Sequence, residues 1–542
     1  MFFQTIGVSL MRPRSFEEHA NPRWGASPWL GGPWGNASVE TADQTERLDH
    51  VFFSDLGYVD EKNRVYEPFV LTGLTLTRSL TLTADISGNA SAVGVLELVN
   101  SGGILDYIVQ NRISDHLAIL IKFGKKRWDF SRQIWLDPTA DQLTPLFAGL
   151  SRNWQTGKNS VSLPILDSTY WLDSAGPVEI YNGEGQFQGD KNVTGRAKPR
   201  LRGTVFNVTP ALIDSVNHVY QLSNASCEIT SLYEGGYKSI KFAGLVDDIY
   251  SRSPDPGTYL VQTSSEGTYL RLGTKPIYAI TVDAIGAFKS GYKPQGILDL
   301  LKHVLLEDTI IPPDTLSTEW DAVAKLRPWC AGWYWDGSQD MTGRNIIATL
   351  LRGTGVTLLP TRTGEIRPYI LEAPRATKIS LYIGPNEIIS ISGIELDESL
   401  SPIVWRWRLG YAHCFTLQSD NLHPQIDDDH KAFIKAADRN ALWFDTDIKD
   451  KYRVPADPTA LVTAITYEAD AQHAAQLLGE LWGQVRHLWA VELPREIAVS
   501  LDLGDTVSIN APVSGLRNGA TGLVVAEQLT ENTSTITLTI LV

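Results

Sequence analysis

Residues 501–542 read LDLGDTVSINAPVSGLRNGATGLVVAEQLTENTSTITLTILV, and this stretch decides the fold class. Turn signals at Gly504 and Gly519 separate its apolar segments. The closing run, residues 534–540, alternates hydroxyl and aliphatic side chains with a period of two. Because successive side chains of a strand point to opposite faces, this pattern predicts strands with one face on a core. The stretch therefore predicts a small packed or closed β-unit.

The first part of the chain shows the same kind of pattern. Apolar or alternating runs separated by turn residues occur at 66–71, 74–82, 93–100 and 116–124. Four or more strands at this spacing predict a barrel or a sandwich. The sequence therefore predicts a mainly β, multidomain chain with a β-unit near each end.

The middle of the chain mixes helical and strand signals. Helical apolar spacing begins at Gly296 and ends before Pro312-Pro313, and Thr342 is placed to cap a second helix. Two apolar runs flank the turn at Thr363-Gly364, which predicts a hairpin. A further apolar-periodic helix is predicted from Asp470 to Val485, just before the last β-unit.

Three groups of residues resemble tailed-bacteriophage baseplate hub (tail tip hub) proteins of the siphophage-like type. The first is the helix followed by L-x-L-G-D-x-V-x-I at 501–509, and the second is G-x-L-E-L-x-N-x-x-G-x-L-D at 94–106. The third is Y-x-G-x-G at 181–185 with G-R-x-K-P-x-x-x-G-x-V-x-N-V-x-P at 195–210. The resemblance covers most of the chain from about residue 50, and residues 376–457 match only loosely.

The resemblance implies a structural virion protein at the phage tail tip, made in the host cytoplasm. It implies a homotrimer that closes the distal tail tube, with two tube-like β-barrels per chain presenting six units to a sixfold tube. The implied partners are a distal tail protein, the carboxyl terminus of the tape measure protein and a central tail fibre. DNA would pass through without specific binding when the channel opens. Because no fibrous extension or lytic motif is visible, we expect receptor-binding fibres and cell-wall cutting to belong to other chains.

The patterns divide the chain into six expected regions. These are an extended amino-terminal arm (1–50), a first tube-like barrel (51–165), a β-rich inserted domain (166–290), a mixed α/β domain (291–375), a β-rich connecting region (376–457) and a carboxyl-terminal tube-like barrel with a preceding helix (458–542).

Composition excludes several classes of protein. The formal net charge of -15 argues against a primary nucleic-acid surface, since phosphate binding needs concentrated Lys and Arg. The three cysteines have no metal-ligand spacing, so buried reduced thiols are expected. The start of the chain lacks a signal-peptide pattern, and no 18-residue apolar run is present. We therefore expect no export by a leader and no membrane insertion by this chain.

Two groups of residues are candidate contacts with other subunits or partners. Trp24, Trp29 and Trp34 recur every five residues in a Gly/Pro-rich arm, and exposed tryptophans favour packing on something. That surface is either the chain itself or a neighbouring subunit. The second group is the basic run Arg196, Lys198, Arg200 and Arg202. It is either a strand face that pairs with carboxylates of a neighbour or a solvated edge that prevents aggregation. A third alternative is a nucleic-acid role at the lumen of the tube.

Motifs for chemistry are weak. The cluster Trp329, Trp333, Tyr334 and Trp335 beside Asp336 and Asp340 favours an alternative function, a carbohydrate-binding or carbohydrate-active β-protein, but core aromatics beside a turn explain it as well. The segment from His423 to His430 contains three consecutive carboxylates, and these point apart in any regular element. It is interpreted as a solvated acidic loop rather than a metal site. The sequence predicts no catalytic, cofactor or metal residues.

Overall fold

The structure is a computed structural model that describes residues 2–11, 48–85, 93–294, 296–530 and 534–542. About 40% of the chain is strand and 17% helix, which makes the protein mainly β. The strands of the first third are β1 (Phe2–Met11), β2 (Leu48–Ser54), β3 (Tyr58–Val59), β4 (Val65–Tyr66), β5 (Val70–Ser79), β6 (Val93–Val99), β7 (Leu117–Lys125), β8 (Arg127–Asp129), β9 (Ile134–Leu136), β10 (Thr144–Ser151), β11 (Gln155–Thr156) and β12 (Ser160–Leu166).

The remaining strands follow in two groups. The middle strands are β13 (Arg200–Val208), β14 (Ala211–Asp214), β15 (Val219–Ser223), β16 (Cys227–Glu234), β17 (Lys241–Leu245), β18 (Thr258–Ser264), β19 (Gly267–Leu272), β20 (Ile280–Gly286), β21 (Gly332–Trp335), β22 (Val356–Pro360) and β23 (Ile366–Ile370). The last strands are β24 (Ile379–Ile383), β25 (Ser390–Ile394), β26 (Arg406–Tyr411), β27 (Arg439–Phe444), β28 (Leu461–Val462), β29 (Leu488–Pro494), β30 (Thr506–Ile509), β31 (Ala520–Leu529) and β32 (Thr535–Leu541).

The helices are short, and the ones near the middle were anticipated by the sequence. Thr342 accepts a hydrogen bond from the backbone N–H of Asn345 at 3.2 Å, so the predicted cap is confirmed. The predicted hairpin is confirmed as β22 paired with β23. The α-helices of the described residues are α1 (Asp106–Asn111), α2 (Ile297–Asp308), α3 (Trp320–Ala324), α4 (Gly343–Leu350), α5 (Asp428–Lys435), α6 (Thr446–Lys451), α7 (Glu468–Trp482) and α8 (Arg495–Ala498).

One 14-stranded sheet unites the two ends of the chain. Its strand order is β2-β1-β7-β10-β12-β6-β5-β31-β32-β29-β25, with β11 paired to β12, and with β30 paired to both β24 and β31. The middle of the chain forms a four-stranded sheet, β16-β20-β13-β21, and a five-stranded sheet, β14-β15-β19-β18-β17. A three-stranded sheet, β27-β26-β28, packs against α7. The large sheet and the elements around it share one hydrophobic core.

The prediction of a mainly β, multidomain fold is confirmed, but the two end units are not separate closed barrels. Within the described residues the large sheet stays open, and β5 pairs directly with β31. The expected barrel boundaries are also too narrow, since β1 lies before residue 51 and both β24 and β25 lie before residue 458. The other domain boundaries stay predictions. Among the described residues, no helix combines the length and apolar character needed to cross a bilayer.

The prediction of an extended arm over residues 1–50 is wrong for residues 2–11. These residues form β1, an inner strand between β2 and β7. The side chains of Ile6, Val8 and Leu10 are at most 1% exposed. Every second residue is apolar here, which is the half-buried strand pattern that also marks the last strand of the chain.

Candidate functional site

The large sheet contains the same four-strand arrangement twice. In the first half the spatial order is β11-β12-β6-β5, and in the second half it is β31-β32-β29-β25. When the four strands of each half are numbered in chain order, their spatial order in both halves is third, fourth, second, first. Each neighbouring pair is antiparallel in both halves. The two halves are therefore topological duplicates, although their sequences show no fixed-period repeat.

The correspondence extends beyond these four strands. A short helical segment follows β6 and α8 follows β29. In the first half, the strand after the helical segment, β7, pairs with β10, which leads into β11. In the second half, the strand after α8, β30, pairs in the same way with β31. β7 and β30 each also pair with a strand from earlier in the chain, since β1 pairs with β7 and β24 pairs with β30. The halves differ in this outer strand, because β1 is antiparallel to its partner and β24 is parallel.

The two halves meet at a seam, the pairing of β5 with β31. Arg78 is the register partner of Glu527, and Thr77 is the partner of Gln528. The guanidinium Nε of Arg78 donates to Glu527 Oε2 at 3.1 Å, and an NH2 group of Arg78 contacts Asp502 at 2.8 Å. The guanidinium of Arg362, from the turn between β22 and β23, contacts the other oxygen of Glu527. The seam is thus held by two cations and two carboxylates.

These charges are removed from solvent. Arg78, Glu527 and Arg362 are 3%, 2% and 8% exposed. Burial lowers the pKa of the Arg78 guanidinium, but the carboxylates of Glu527 and Asp502 outweigh it, so the net pKa of Arg78 is raised. Arg78 therefore stays charged, and so the ion network is a fixed joint between the halves.

The opposite face of the same strands is open to solvent and mostly polar, and its exposed apolar side chains include Val95 and Ile394. Glu492 accepts hydrogen bonds from the hydroxyls of Ser390 at 2.8 Å and Thr535 at 2.9 Å, which ties three strands together on this face. We name this surface the polar belt. Its residues, aligned across the seam and none of them Lys or Arg, are Thr75, Thr77, Ser79, Glu97, Ser390, Ser392, Glu492, Gln528, Thr537 and Thr539.

Two strand edges of the duplicated layer have no partner strand within the part of the chain that the structure describes. One belongs to β11, which pairs only with β12 and has exposed side chains. The other belongs to β25, which pairs only with β29 and carries Ile394 at 43% exposed. Unpaired edges of this kind accept another strand, so they are potential assembly surfaces.

The chain is similar to several solved structures at low identity. One is a 43 kDa tail protein of prophage MuSo2 from Shewanella oneidensis, with 10% identity and a TM-score of 0.36, over 88% of this chain and 95% of that chain. A tail protein from Neisseria meningitidis MC58 has 9% identity and a TM-score of 0.35 over the same shares. A chain of the P2 virion baseplate in its activated conformation has 8% identity and a TM-score of 0.22, over 100% and 98%.

No family model matches the sequence, and no curated protein matches it. TM-scores this low do not establish a common fold. Assignment of a function therefore depends on the residues and the strand order of the chain itself.

The structure places the basic run in two different environments. Arg200 and Arg202 are 3% and 1% exposed, and both guanidinium groups bind the carboxylate of Asp308 in α2, at 2.7 and 3.0 Å. They join the four-stranded sheet to α2 inside one subunit, so they are not available to a neighbour, which corrects the prediction for these two. Arg196 is exposed, and Lys198 is half-buried beside the ring of Tyr181. These two stay candidate partner contacts.

The remaining candidate residues have structural roles or lie outside the residues that the structure describes. Trp24, Trp29 and Trp34 fall outside the described residues. Trp333 and Trp335 are 5% and 8% exposed. These two are core aromatics.

The acidic segment near His423 packs through its rings. His423 stacks on Tyr237 with ring centroids 4.6 Å apart, and His430 stacks on Tyr233 at 4.2 Å. Asp427 accepts the backbone N–H of His430 at 2.7 Å and so caps α5. Across the described residues there is no group of three or more His, Cys, Asp and Glu side chains placed to hold a metal ion.

Sequence reasoning missed the seam residues Arg78 and Glu527. One signal was present, since the residues two positions before and after each of them, on the same face of a strand, are apolar. A charge on a core face needs a partner of opposite sign. The sequence does not show which of the distant carboxylates supplies it.

Proposed function

We propose that this chain is a structural protein of a tailed-phage virion, a homotrimeric hub at the tail tip. It closes the distal end of the tail tube, adapts sixfold symmetry to threefold symmetry, and opens for DNA ejection. The duplicated strand order of the large sheet is the observation that carries this proposal. The sequence motifs at 94–106, 181–210 and 501–509 support it independently.

Duplication within one chain solves a symmetry problem. A homotrimer of chains with two similar units presents six units around one axis while keeping closed threefold symmetry. We take the seam between β5 and β31 as the pattern for the proposed contact between neighbouring copies. If all six contacts are alike, β25 of one copy pairs with β11 of the next, at the two edges that have no partner strand within the described residues.

The strand register gives the pairing between copies residue by residue. Glu97 and Glu492 are equivalent, since each is the fifth residue of its strand and faces the polar belt. The strand registers on one side of these two glutamates make Thr77 of β5 equivalent to Ile394 of β25. The registers on the other side make Gln528 of β31 equivalent to Gln155 of β11. Thr77 pairs with Gln528 at the seam. Ile394 of one copy is therefore expected opposite Gln155 of the next.

The polar belt suits the wall of a DNA channel. Its hydroxyl, amide and carboxylate side chains offer no cation to hold a phosphate. With a formal net charge of -15, the chain repels DNA rather than retaining it. We propose that the belt lines the channel, and that DNA passes without specific binding.

The proposed neighbours follow from this position in the virion. A distal tail protein lies above the ring, the carboxyl terminus of the tape measure protein lies in the channel, and a central fibre or other tip protein lies below. Trp24, Trp29 and Trp34, with Arg196 and Lys198, are the proposed contacts to other subunits or partners. The role is mechanical, and we propose no catalytic activity and no cofactor for this chain.

Disulfide trapping tests the pairing between copies. In the variant Gln155→Cys/Ile394→Cys, the two thiols of neighbouring copies would lie opposite each other in paired strands, where Cα atoms are about 4.5 to 5.5 Å apart. That spacing suits a disulfide. We expect mild oxidation to give covalent dimers and trimers on a non-reducing gel, and reduction to return them to single chains.

A matched control shifts one thiol along the strand. In Gln155→Cys/Ser390→Cys, the second thiol moves four residues from Ile394, about 13 Å at 3.3 Å per residue. This variant, and the two variants that carry only one of the added cysteines, should stay uncrosslinked. Equal crosslinking by the shifted variant, or none by Gln155→Cys/Ile394→Cys, would refute the proposed ring contact.

A further inference from the structure

Residues 127–136 form a two-stranded hairpin that lies outside the large sheet. Strand β8 pairs with β9 and with no other described strand, and Trp128 is the register partner of Trp135. The hairpin belongs to the connection from β7 to β10, whereas the equivalent connection from β30 to β31, residues 510–519, contains no strand. Because only one half of the sheet carries it, the hairpin is not part of a contact that all six proposed units share.

The end of this hairpin is apolar and exposed. Phe130 lies in the turn after β8 and is 86% exposed, while Ile134 and Trp135 at the start of β9 are 46% and 47% exposed. The indole rings of Trp128 and Trp135 pack edge to face with their centroids 5.2 Å apart, which holds them together behind the turn. Contiguous exposed apolar side chains of this kind mark an interaction surface.

Two arginines flank the apolar end of the hairpin. Arg127 is exposed, and the side chain of Arg132 keeps 72% of its surface exposed because its ion pair with Asp129 is long, at 3.9 Å. Asp129 instead accepts the backbone N–H of Ser131 at 2.9 Å and the Ser131 hydroxyl at 2.6 Å, which fixes the turn. Both guanidinium groups are therefore accessible to an anionic group outside the chain.

This combination of side chains matches the surface of a lipid bilayer. An apolar ring enters the boundary of the acyl chains, indoles lie at the level of the headgroups, and the long arginine side chains reach the phosphates. The chain as a whole has a formal net charge of -15, so two accessible guanidinium groups beside an apolar turn are a local exception. Their charge complements that of anionic headgroups.

We propose that the hairpin of residues 127–136 docks this chain on an anionic bilayer surface. Phe130 enters the boundary of the acyl chains, and Arg127 and Arg132 bind lipid phosphates. The contact is made at the surface, and no segment of the chain crosses the bilayer. The docking does not depend on the hub function, because the hairpin lies outside the duplicated strands.

Vesicle flotation of the full-length chain tests this docking. We expect the chain to float with vesicles of phosphatidylethanolamine and phosphatidylglycerol, and to float less with pure phosphatidylcholine. Phe130→Ser should lower the apparent partition constant for the anionic vesicles about tenfold or more, the range for burial of a large apolar side chain.

The charged part of the contact is tested by Arg132→Gln. One cation near an anionic bilayer contributes a factor of about five to binding, so this variant should bind the anionic vesicles about fivefold more weakly. Because salt screens charges, the difference between Arg132→Gln and the wild type should shrink as the salt concentration rises.

Two variants serve as matched controls. Ile277→Ser removes an apolar side chain that is 83% exposed elsewhere on the surface, and Arg252→Gln removes an exposed arginine outside the hairpin. Both should bind the vesicles like the wild type, and thermal unfolding curves establish that all four variants are folded. The proposal would be overturned if the wild type did not float with the anionic vesicles, or if Phe130→Ser and Arg132→Gln floated like their controls. The hairpin would then be a contact for another protein.

Discussion

Arg78 of β5 and Glu527 of β31 are direct register partners and also form a buried ion pair, although 449 residues separate them in the chain. This contact joins the first half of the large sheet to the second. Arg362 and Asp502 complete a network with two charges of each sign. This network links the two halves of the large sheet directly.

Removing one member of this pair should destabilise the chain strongly. Glu527→Gln leaves Arg78 and Arg362 buried with one carboxylate fewer, and Arg78→Met leaves Glu527 with one cation fewer. We expect each change to lower the free energy of unfolding by about 3 to 5 kcal/mol, because an uncompensated buried charge remains. Urea unfolding of both single variants and the double variant measures this cost and the coupling between the two residues.

An exposed ion pair serves as the control for the seam. Lys293 and Glu228 lie 3.5 Å apart with side chains 61% and 63% exposed. Lys293→Met should change the free energy of unfolding by less than about 1 kcal/mol, as is usual for surface pairs. A seam variant that costs no more than Lys293→Met would show that the Arg78–Glu527 pair is not a joint.

Gly332→Ala should disrupt the pairing of β21 with β13 in the four-stranded sheet. A Cβ at Gly332 would lie 1.8 Å from the carbonyl oxygen of Thr204, which belongs to the partner strand β13. The carbonyl carbon of Thr204 would also lie only 2.5 Å away, and this backbone is held in the sheet, so we expect a loss of about 3 kcal/mol or more, at the upper end of overpacking effects. Gly7→Ala is the control, since its Cβ would meet only Phe52 at 3.5 Å. Equal melting temperatures for the two variants would contradict this packing.

Stability should depend on His430 below about pH 6.5. Burial lowers the pKa of His430 from 6.5, against the opposing effect of Asp283 and Asp427. Its ring stacks on Tyr233. As the pH falls through 6.5, His430 binds a proton in the unfolded chain but stays neutral in the folded chain. The free energy of unfolding therefore decreases.

His430→Phe keeps a ring against Tyr233 and removes this titration. Between about pH 7.5 and about pH 5.5, wild type should lose more unfolding free energy than His430→Phe, measured by urea unfolding. Both proteins keep Asp283, whose raised pKa, due to its burial, acts in the opposite direction. An identical pH slope in the two proteins would show that His430 is not the source.

The amino-terminal tryptophans should matter for assembly and not for folding. Met11 and Leu48 are register partners in β1 and β2, so an Asn-Gly turn can join them in place of residues 12–47. This replacement keeps β1, which a deletion of residues 1–45 would remove. We expect the thermal transition of the chain to persist while the assembly weakens, as measured by mass photometry at decreasing concentration. Unfolding of the replacement variant would show that residues 12–47 belong to the core.

Local sequence patterns predicted the strands and helices that depend only on nearby residues. The alternation in 534–540 predicted β32, and the apolar spacing from Asp470 predicted α7 within three residues at each end. The hairpin around Gly364 followed from its turn. These features depend on neighbours in the sequence, so their signals are contained in short windows.

The features that depend on distant partners were not predictable in this way. No local pattern shows that β5 pairs with β31, because strand pairing at long range is set by the whole fold. The same holds for Arg200 and Arg202, whose alternation resembles a solvated edge until Asp308 is placed beside them. The prediction of two separate barrels was wrong for the same reason, since the pairing of β5 with β31 joins both halves in one sheet.

Cryo-electron microscopy of the purified chain tests the central claim most directly. The account predicts a closed threefold ring of about three times the 59.9 kDa chain mass, in which six four-strand units surround a channel lined by the polar belt. In that map β25 of each copy lies beside β11 of the next. A monomer, a ring without threefold symmetry, or a ring with the polar belt on its outer surface would contradict the account.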